Sequence, residues 1–345
     1  MTSLVVQTAF LGDVVLTTPL LAALAERHGP VDVVTTPAAA PLLETHPAVR
    51  RVVPYDKRGQ ERGLAGLVAL ARRLTAERYE AAYLPHRSLR TAVLAWLARI
   101  PRRRGFHDGW PLFYTEVKRR PADGHEIDRL LALAEPPIQT ATRAPRIHPT
   151  REDEAAVERL LSGAQIGDAF VALAPGSIWG SKRWPYYKEV AERLGRGGGG
   201  GGRDRAAIVI VGGPEDAALG EAIVAAVRRK GGRAASACGQ LTLRQSAALI
   251  ARARLLVTND SAPLHLASAM GTPVVAIFGP TIPEFGFGPI GAGDASIGVE
   301  GLICRPCSRH GPPACPLGHH RCMKDLTVAQ VLRAIEETRA LHPRD

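Results

Sequence analysis

Residues 255–278 read LLVTNDSAPLHLASAMGTPVVAIF. The apolar run Leu255–Thr258 reads as a buried strand and ends at the polar cluster Asn259-Asp260-Ser261. Asp260 and Ser261 are cap residue types, and Pro263 suits the first turn of a helix, where its missing N–H costs nothing. The helical stretch Ala262–Met270 closes on Gly271, and Val274–Phe278 begins a second apolar strand. Strand, helix and strand in direct succession mean a βαβ unit and a parallel sheet.

The same alternation extends in both directions. Upstream, Phe170–Ala174 and Ala207–Val211 read as strands, with helices over about Pro185–Leu194, Asp216–Arg229 and Leu243–Ala251. In the N-terminal half, Ser3–Thr8, Val31–Thr35, Arg51–Pro54 and Ala81–Leu84 read as strands. Helices fall between them at about Thr18–Arg27, Gly63–Ala76 and Leu89–Ala98. The Pro-rich stretch Pro136–Pro149 reads as a linker, and the glycine run 197–202 as a flexible surface insertion. A chain of 345 residues suits two domains of roughly 150. The expected division is a domain at 1–150, a second at 151–325, and a C-terminal helix within 326–345. Two such sheets would enclose a cleft, with ligands beyond the carboxyl ends of the strands.

The chain carries 44 basic residues against 33 acidic ones, a formal charge of +11, and only six of the basic residues are Lys. Such a surface attracts polyanions: nucleic acid, anionic lipid or a phosphorylated substrate. No RNA- or DNA-binding motif accompanies the arginines, so nucleic acid is not the expected partner. No apolar run approaches the roughly 18 residues of a membrane span. The N-terminus lacks a basic leader and Asp13 interrupts its apolar stretch, so the expectation is a cytoplasmic chain.

Four segments could carry chemistry. Gly12-Asp13 follows the first strand, where Asp13 either caps a helix or stands free as a base; Thr18-Pro19 offers a later helix start. Pro175-Gly176-Ser177 and Ser181-Lys182-Arg183 follow the strand Phe170–Ala174, with small residues, hydroxyls and charge of the phosphate-binding type. At Asp260–His265 the backbone N–H groups of a helix start, with Ser261, Ala262 and His265, suit a diphosphate. Gly212-Gly213-Pro214-Glu215-Asp216 places a carboxylate where a ribose or sugar hydroxyl could bind, or where it could cap a helix.

Taken together and in this order, the segments resemble the heptosyltransferases of glycosyltransferase family 9. The resemblance runs through Gly12-Asp13 with Thr17-Thr18-Pro19, His125–Arg129, Pro175–Ser177 and Lys182–Pro185. It continues through Asn259–Ser261 with His265, then Gly271–Pro273 and Phe278–Thr281. The Lys182-Arg183-Trp184-Pro185 form and the C-terminal Cys pattern look most like the heptosyltransferase II branch, which extends a heptose already attached to Kdo–lipid A. The resemblance implies a GT-B fold, two Rossmann-like domains facing each other across a cleft. It implies an inverting transfer of L-glycero-D-manno-heptose from ADP-heptose during lipopolysaccharide synthesis, on the cytoplasmic face of the inner membrane. By the same resemblance Asp13 is the base, Lys182 contacts the phosphates, and Ser177, Glu215, Asp260, Ser261, Ala262 and His265 line the donor site. Two departures stand out: Ser261 replaces a common Thr, and Ala262-Pro263 replaces a Gly-Leu pair. No catalytic metal is expected, since no Asp-x-Asp motif lies near the site.

The basic stretch 101–120 would face the acidic acceptor and the anionic inner leaflet, while Trp110 and Phe113 either pack the loop onto its domain or touch sugar or lipid. Cys304, Cys307, Cys315 and Cys322 suggest either a structural zinc site, with His319 or His320 as substitutes, or free thiols or disulfides. Two other readings remain: heptosyltransferase I or another family-9 enzyme, and a non-catalytic zinc or nucleic-acid-binding protein.

Overall fold

The computed structural model describes residues 2–134, 143–196 and 205–341. The glycine run 197–202 lies outside them, as does the Pro136–Thr142 part of the Pro-rich stretch. The chain divides into two compact units, Met1–His148 and Pro149–Asp345.

The first unit holds β1 (Ser3–Val6), β2 (Val31–Thr35), β3 (Val49–Pro54), β4 (Ala81–Leu84), β5 (Arg102–Phe106) and β6 (Glu116–Lys118). Its helices are α1 (Leu11–His28), α2 (Ala40–Leu43), α3 (Gly63–Ala76), α4 (Leu89–Leu97) and α5 (Glu126–Leu131). The second unit holds β7 (Phe170–Ala174), β8 (Ala207–Ile210), β9 (Ala234–Ser236), β10 (Leu255–Asn259), β11 (Val274–Ile277) and β12 (Ala295–Ile297). Its helices are α6 (Arg151–Gly163), α7 (Tyr187–Arg196), α8 (Ala217–Arg229), α9 (Leu243–Arg252), α10 (Ala262–Met270), α11 (Arg321–Lys324) and α12 (Val328–Leu341).

Each unit is a six-stranded sheet, ordered β3-β2-β1-β4-β5-β6 and β12-β11-β10-β7-β8-β9, and every pairing is parallel. Counted from its own first strand, each sheet has the Rossmann order 3-2-1-4-5-6. Strands covered on both faces are apolar nearly throughout, as the fully buried β7 and, after Ser3, β1 are. The chain reverses direction across the sheet between β1 and β4, and between β7 and β10. At those two switch points the flanking loops part, so both are places for a ligand. The C-terminal helix α12 packs on β10, β11, β12 and α7 and belongs to the second unit's core.

Four strands escape the sequence reading: β5, β6, β9 and β12. Three are only three residues long. The fourth, β5, carries Arg102, Arg103 and Arg104, whose charge argues against burial. Pairing with β6 resolves this. Arg104 lies beside Glu116 in the register, forms an ion pair with its carboxylate and donates to the Leu133 carbonyl at 2.9 Å. A buried charge with every donor directed at an acceptor is tolerable.

The start of α1 corrects an expectation. The helix begins at Leu11, not at Thr18, so Pro19 sits inside it. Pro19 cannot donate to the Val15 carbonyl four residues back. The Thr18 hydroxyl donates to that carbonyl instead, at 2.8 Å, which removes the usual reason to stop a helix before proline.

Asp32 on β2 is fully buried. It accepts from Arg50 at 2.8 Å, from Arg51 at 2.9 Å and from the Tyr79 hydroxyl at 2.5 Å. Burial acts to raise its pKa, but hydrogen bonds from Arg50 and Tyr79 and the two guanidinium charges hold it below the ordinary value. Its contribution to stability is therefore present above the unfolded-state value of 3.8 and is lost as pH falls through the folded value. Asp32→Ala leaves the buried Tyr79 hydroxyl without this acceptor while the two arginines are half exposed, and is expected to cost about 1–3 kcal/mol in urea unfolding at pH 7. An unchanged midpoint would remove this cluster from the stability argument.

Candidate active site

In the second unit, one side chain joins the two loops that flank the switch point. Asn259, at the end of β10, donates through Nδ2 to the Pro175 carbonyl at 2.8 Å and to that of Gly176 at 3.3 Å. Its Oδ1 accepts from the Trp184 N–H and the Tyr187 hydroxyl, both at 3.2 Å. Trp184 is itself buried, with its indole N–H on the Leu326 carbonyl at 3.0 Å. The loop after β7 is thus anchored at both ends.

Between those anchors, Lys182 ends a short 3-10 turn, Gly180–Lys182. Its ammonium lies 2.6 Å from Asp260 Oδ2, and the two side chains are only 8% and 11% exposed. The Thr281 hydroxyl donates to the same oxygen at 2.6 Å. An ammonium held in place by a carboxylate cannot wander, which suits it to an anionic ligand.

Beside this pair begins α10. Ser261 is its N-cap, in extended conformation, but its hydroxyl turns back to the Asn259 carbonyl at 3.4 Å rather than capping the helix. Pro263 lacks a donor and the Leu264 N–H reaches the Ser261 carbonyl at 3.1 Å. The N–H of Ala262 therefore carries the positive end of the helix. His265, one turn in, is buried and meets Phe287 edge-on at 6.3 Å. At the end of β8, Asp216 is buried and accepts from the Gly213 N–H at 3.2 Å, while Glu215 is exposed. Burial pushes the Asp216 pKa up, against the opposing Gly213 amide. A Cβ on Gly176 would lie 2.2 Å from the Asp216 carboxylate, so only glycine allows this approach. Ser177 accepts from the Trp179 N–H at 3.3 Å. Ser177, Lys182, Glu215, Asp260, Ser261, Ala262 and His265 thus share the carboxyl-end loops of β8, β7 and β10. Lys182 and Asp260 are in direct contact.

In the first unit, Asp13 lies in the first turn of α1, half-buried, and one oxygen accepts from the Phe10 N–H at 3.1 Å. It therefore does serve as a cap. Two neighbours had no signal in the sequence. Lys57, after β3, donates to the Thr8 carbonyl at 2.6 Å and hydroxyl at 3.2 Å. His86, after β4, is held neutral: burial, then Lys57 and Arg87, push its pKa down to about 4. Both occupy the β1/β4 switch point, and a lone Lys or His shows no motif.

Residues 67–315 match the family model "Glycosyltransferase family 9 (heptosyltransferase)". The chain belongs to glycosyltransferase family 9. This transferase is 26% identical to lipopolysaccharide heptosyltransferase 2 of Salmonella typhimurium over 307 residues, covering 82% of this chain and 84% of that one. Its fold matches a family-9 glycosyl transferase from Veillonella parvula with a TM-score of 0.85 and 25% identity, over 99% and 97% of the two chains. It also matches E. coli ADP-heptose heptosyltransferase II with a TM-score of 0.78, at 23% identity and complete coverage of both. The whole-chain likeness to that enzyme carries the GT-B class, two Rossmann-like domains.

The transferase's C-terminal cysteines are free thiols. Among the described residues, no group of three or more His, Cys, Asp and Glu could hold a metal ion. Cys304 Sγ is 4.0 Å from His319 Nε2. Cys307 donates to the Cys304 carbonyl at 3.3 Å, and Cys322 is buried in the core beside Met323. The segment does have a place in the site. Arg305 donates to the carbonyls of Gly279 at 2.6 Å and Thr281 at 3.1 Å, and the Cys307 N–H reaches Pro280 at 2.8 Å. A Cβ on Gly311 would sit 2.9 Å from Lys182 Cε. The Cys-rich segment therefore backs both Thr281 and Lys182.

Proposed function

We propose that this family-9 transferase moves L-glycero-D-manno-heptose from ADP-heptose to a heptosyl-Kdo-lipid A acceptor, inverting the anomeric centre in one displacement. The buried Lys182–Asp260 pair at the switch point, beside the start of α10, carries this reading. The leaving ADP gains negative charge as the glycosidic C–O bond breaks. The Lys182 ammonium and the Ala262 N–H stabilise that charge. Ser261 and His265 bind the same diphosphate, while Ser177 and Glu215 bind the ribose or sugar hydroxyls. Asp260 keeps Lys182 aimed. At the other centre, the Asp13 carboxylate takes the proton from the acceptor hydroxyl as it attacks the anomeric carbon. With fixed positive groups at the diphosphate, the transfer runs without a divalent cation.

The acceptor is a lipid, so the proposed place of work is the cytoplasmic face of the inner membrane, with the enzyme attached peripherally. No helix among the described residues is long and apolar enough to cross a membrane.

ADP release from ADP-heptose tests the reading directly. Release is expected with heptosyl-Kdo2-lipid A and not without acceptor. Release with Kdo2-lipid A alone would reassign the enzyme to the preceding transfer. Silence with both, from protein that still binds ADP, would sink the proposed substrates.

A further inference from the structure

The connection between β5 and β6 holds an apolar tip out in solvent by means of a buried framework. A Cβ on Gly105 or Gly109 would come within 2.4 or 2.7 Å of Tyr114, so these two glycines admit its ring. The Tyr114 hydroxyl accepts from the Trp110 N–H at 3.2 Å. Arg103 donates to the Phe113 carbonyl at 2.7 Å and to the Ile100 carbonyl at 2.6 Å, tying the loop to the end of α4. Phe113 packs on the first unit's core and meets Trp96 edge-on at 6.0 Å. What this framework presents is Leu112, 88% exposed, between Trp96 at 51% and Trp110 at 42%. So many anchoring contacts spent on exposing a leucine point to a partner rather than to chance.

Charge indicates which partner. Residues 96–120 contain seven basic residues and two acidic ones. Both acids are already engaged, Asp108 by Arg87 at 3.0 Å and Glu116 by Arg102 at 3.0 Å and by Arg104. Arg99, three residues after Trp96, is exposed. Tryptophans at headgroup depth, an aliphatic tip in the acyl boundary and arginines for phosphates match an anionic bilayer surface.

We propose that Trp96, Trp110 and Leu112, together with Arg99, form the face through which the N-terminal domain seats on an anionic membrane. This rests on the lipid-borne acceptor proposed above and assigns its membrane contact to particular residues. The test is co-sedimentation of the full chain with phosphatidylglycerol–phosphatidylethanolamine vesicles and with pure phosphatidylcholine vesicles. Binding is expected to the anionic vesicles only and to weaken with added salt. Leu112→Glu and Trp96→Glu, both at exposed positions, should each bind about tenfold more weakly or worse. In parallel, transfer to a water-soluble heptosyl-Kdo oligosaccharide lacking lipid A should be unchanged in both variants. Wild-type vesicle binding by both variants, or equal binding to neutral vesicles, overturns the proposal. So does a wild-type dimer that Leu112→Glu converts to monomer without loss of vesicle binding, which would give the face to a second copy. A wild-type enzyme inactive on the soluble oligosaccharide, whose variants still lose the vesicles, would keep the docking face and reject the acceptor.

Discussion

Asp13→Asn is expected to fold, to bind ADP as tightly as the wild type, and to turn over about 10²–10⁴ times more slowly, the usual range for loss of a general base. The substitution separates the two roles of this residue. Asn keeps an oxygen that can accept the Phe10 N–H, now seen at 3.1 Å on Asp13 Oδ2, so the first turn of α1 survives. What Asn cannot do is take a proton from an attacking hydroxyl. If Asp13 serves only as a cap, single-turnover rates with saturating ADP-heptose will match the wild type. If it is the base, the loss will appear in kcat, with unchanged melting temperature and unchanged ADP affinity by calorimetry.

Lys182→Ala should have the second-largest effect, and on two quantities at once. Removing the ammonium takes away a charge from the diphosphate. It also leaves Asp260 without its 2.6 Å partner in a place where both side chains are almost buried. An uncompensated buried charge costs about 3–5 kcal/mol when a pair is broken from one side. Here part of that cost should appear as repulsion of ADP. We expect ADP affinity and kcat each to fall by about tenfold or more, with a lower melting temperature. The double variant Lys182→Ala, Asp260→Ala should bind ADP better than Lys182→Ala alone, since the second change removes the repelling carboxylate. Calorimetric titration with ADP reads this directly. Wild-type ADP affinity in the single variant would take Lys182 out of the phosphate site. A double variant that binds more weakly than the single one would mean that Asp260 contacts the ligand itself.

Much of this transferase was legible from local pattern. The βαβ alternation and the strands β2, β4 and β7 follow from apolar runs bounded by turn residues, because a strand buried on both faces has no other composition open to it. Short strands were not legible. β6, β9 and β12 are too brief to show a period, and β5 is hidden by its arginines until Glu116 is brought beside it. The same contrast holds at the site. Lys182, Asp260 and Ser261 stand in recognisable loops, whereas Lys57 and His86 have no motif of their own.

The amino-acid sequence alone determined the class of fold and the family, since both depend on residue types at short spacing. Tertiary structure decided the rest. It set Lys182 on Asp260 across 78 positions of sequence and gave Asn259 the task of holding both loops. It also turned the Cys-rich segment into the support behind Thr281 and Lys182. The physical reason is that parallel pairing of β7 with β10 brings distant loops to one rim. Which side chains then meet depends on packing and hydrogen-bond geometry that no local pattern encodes.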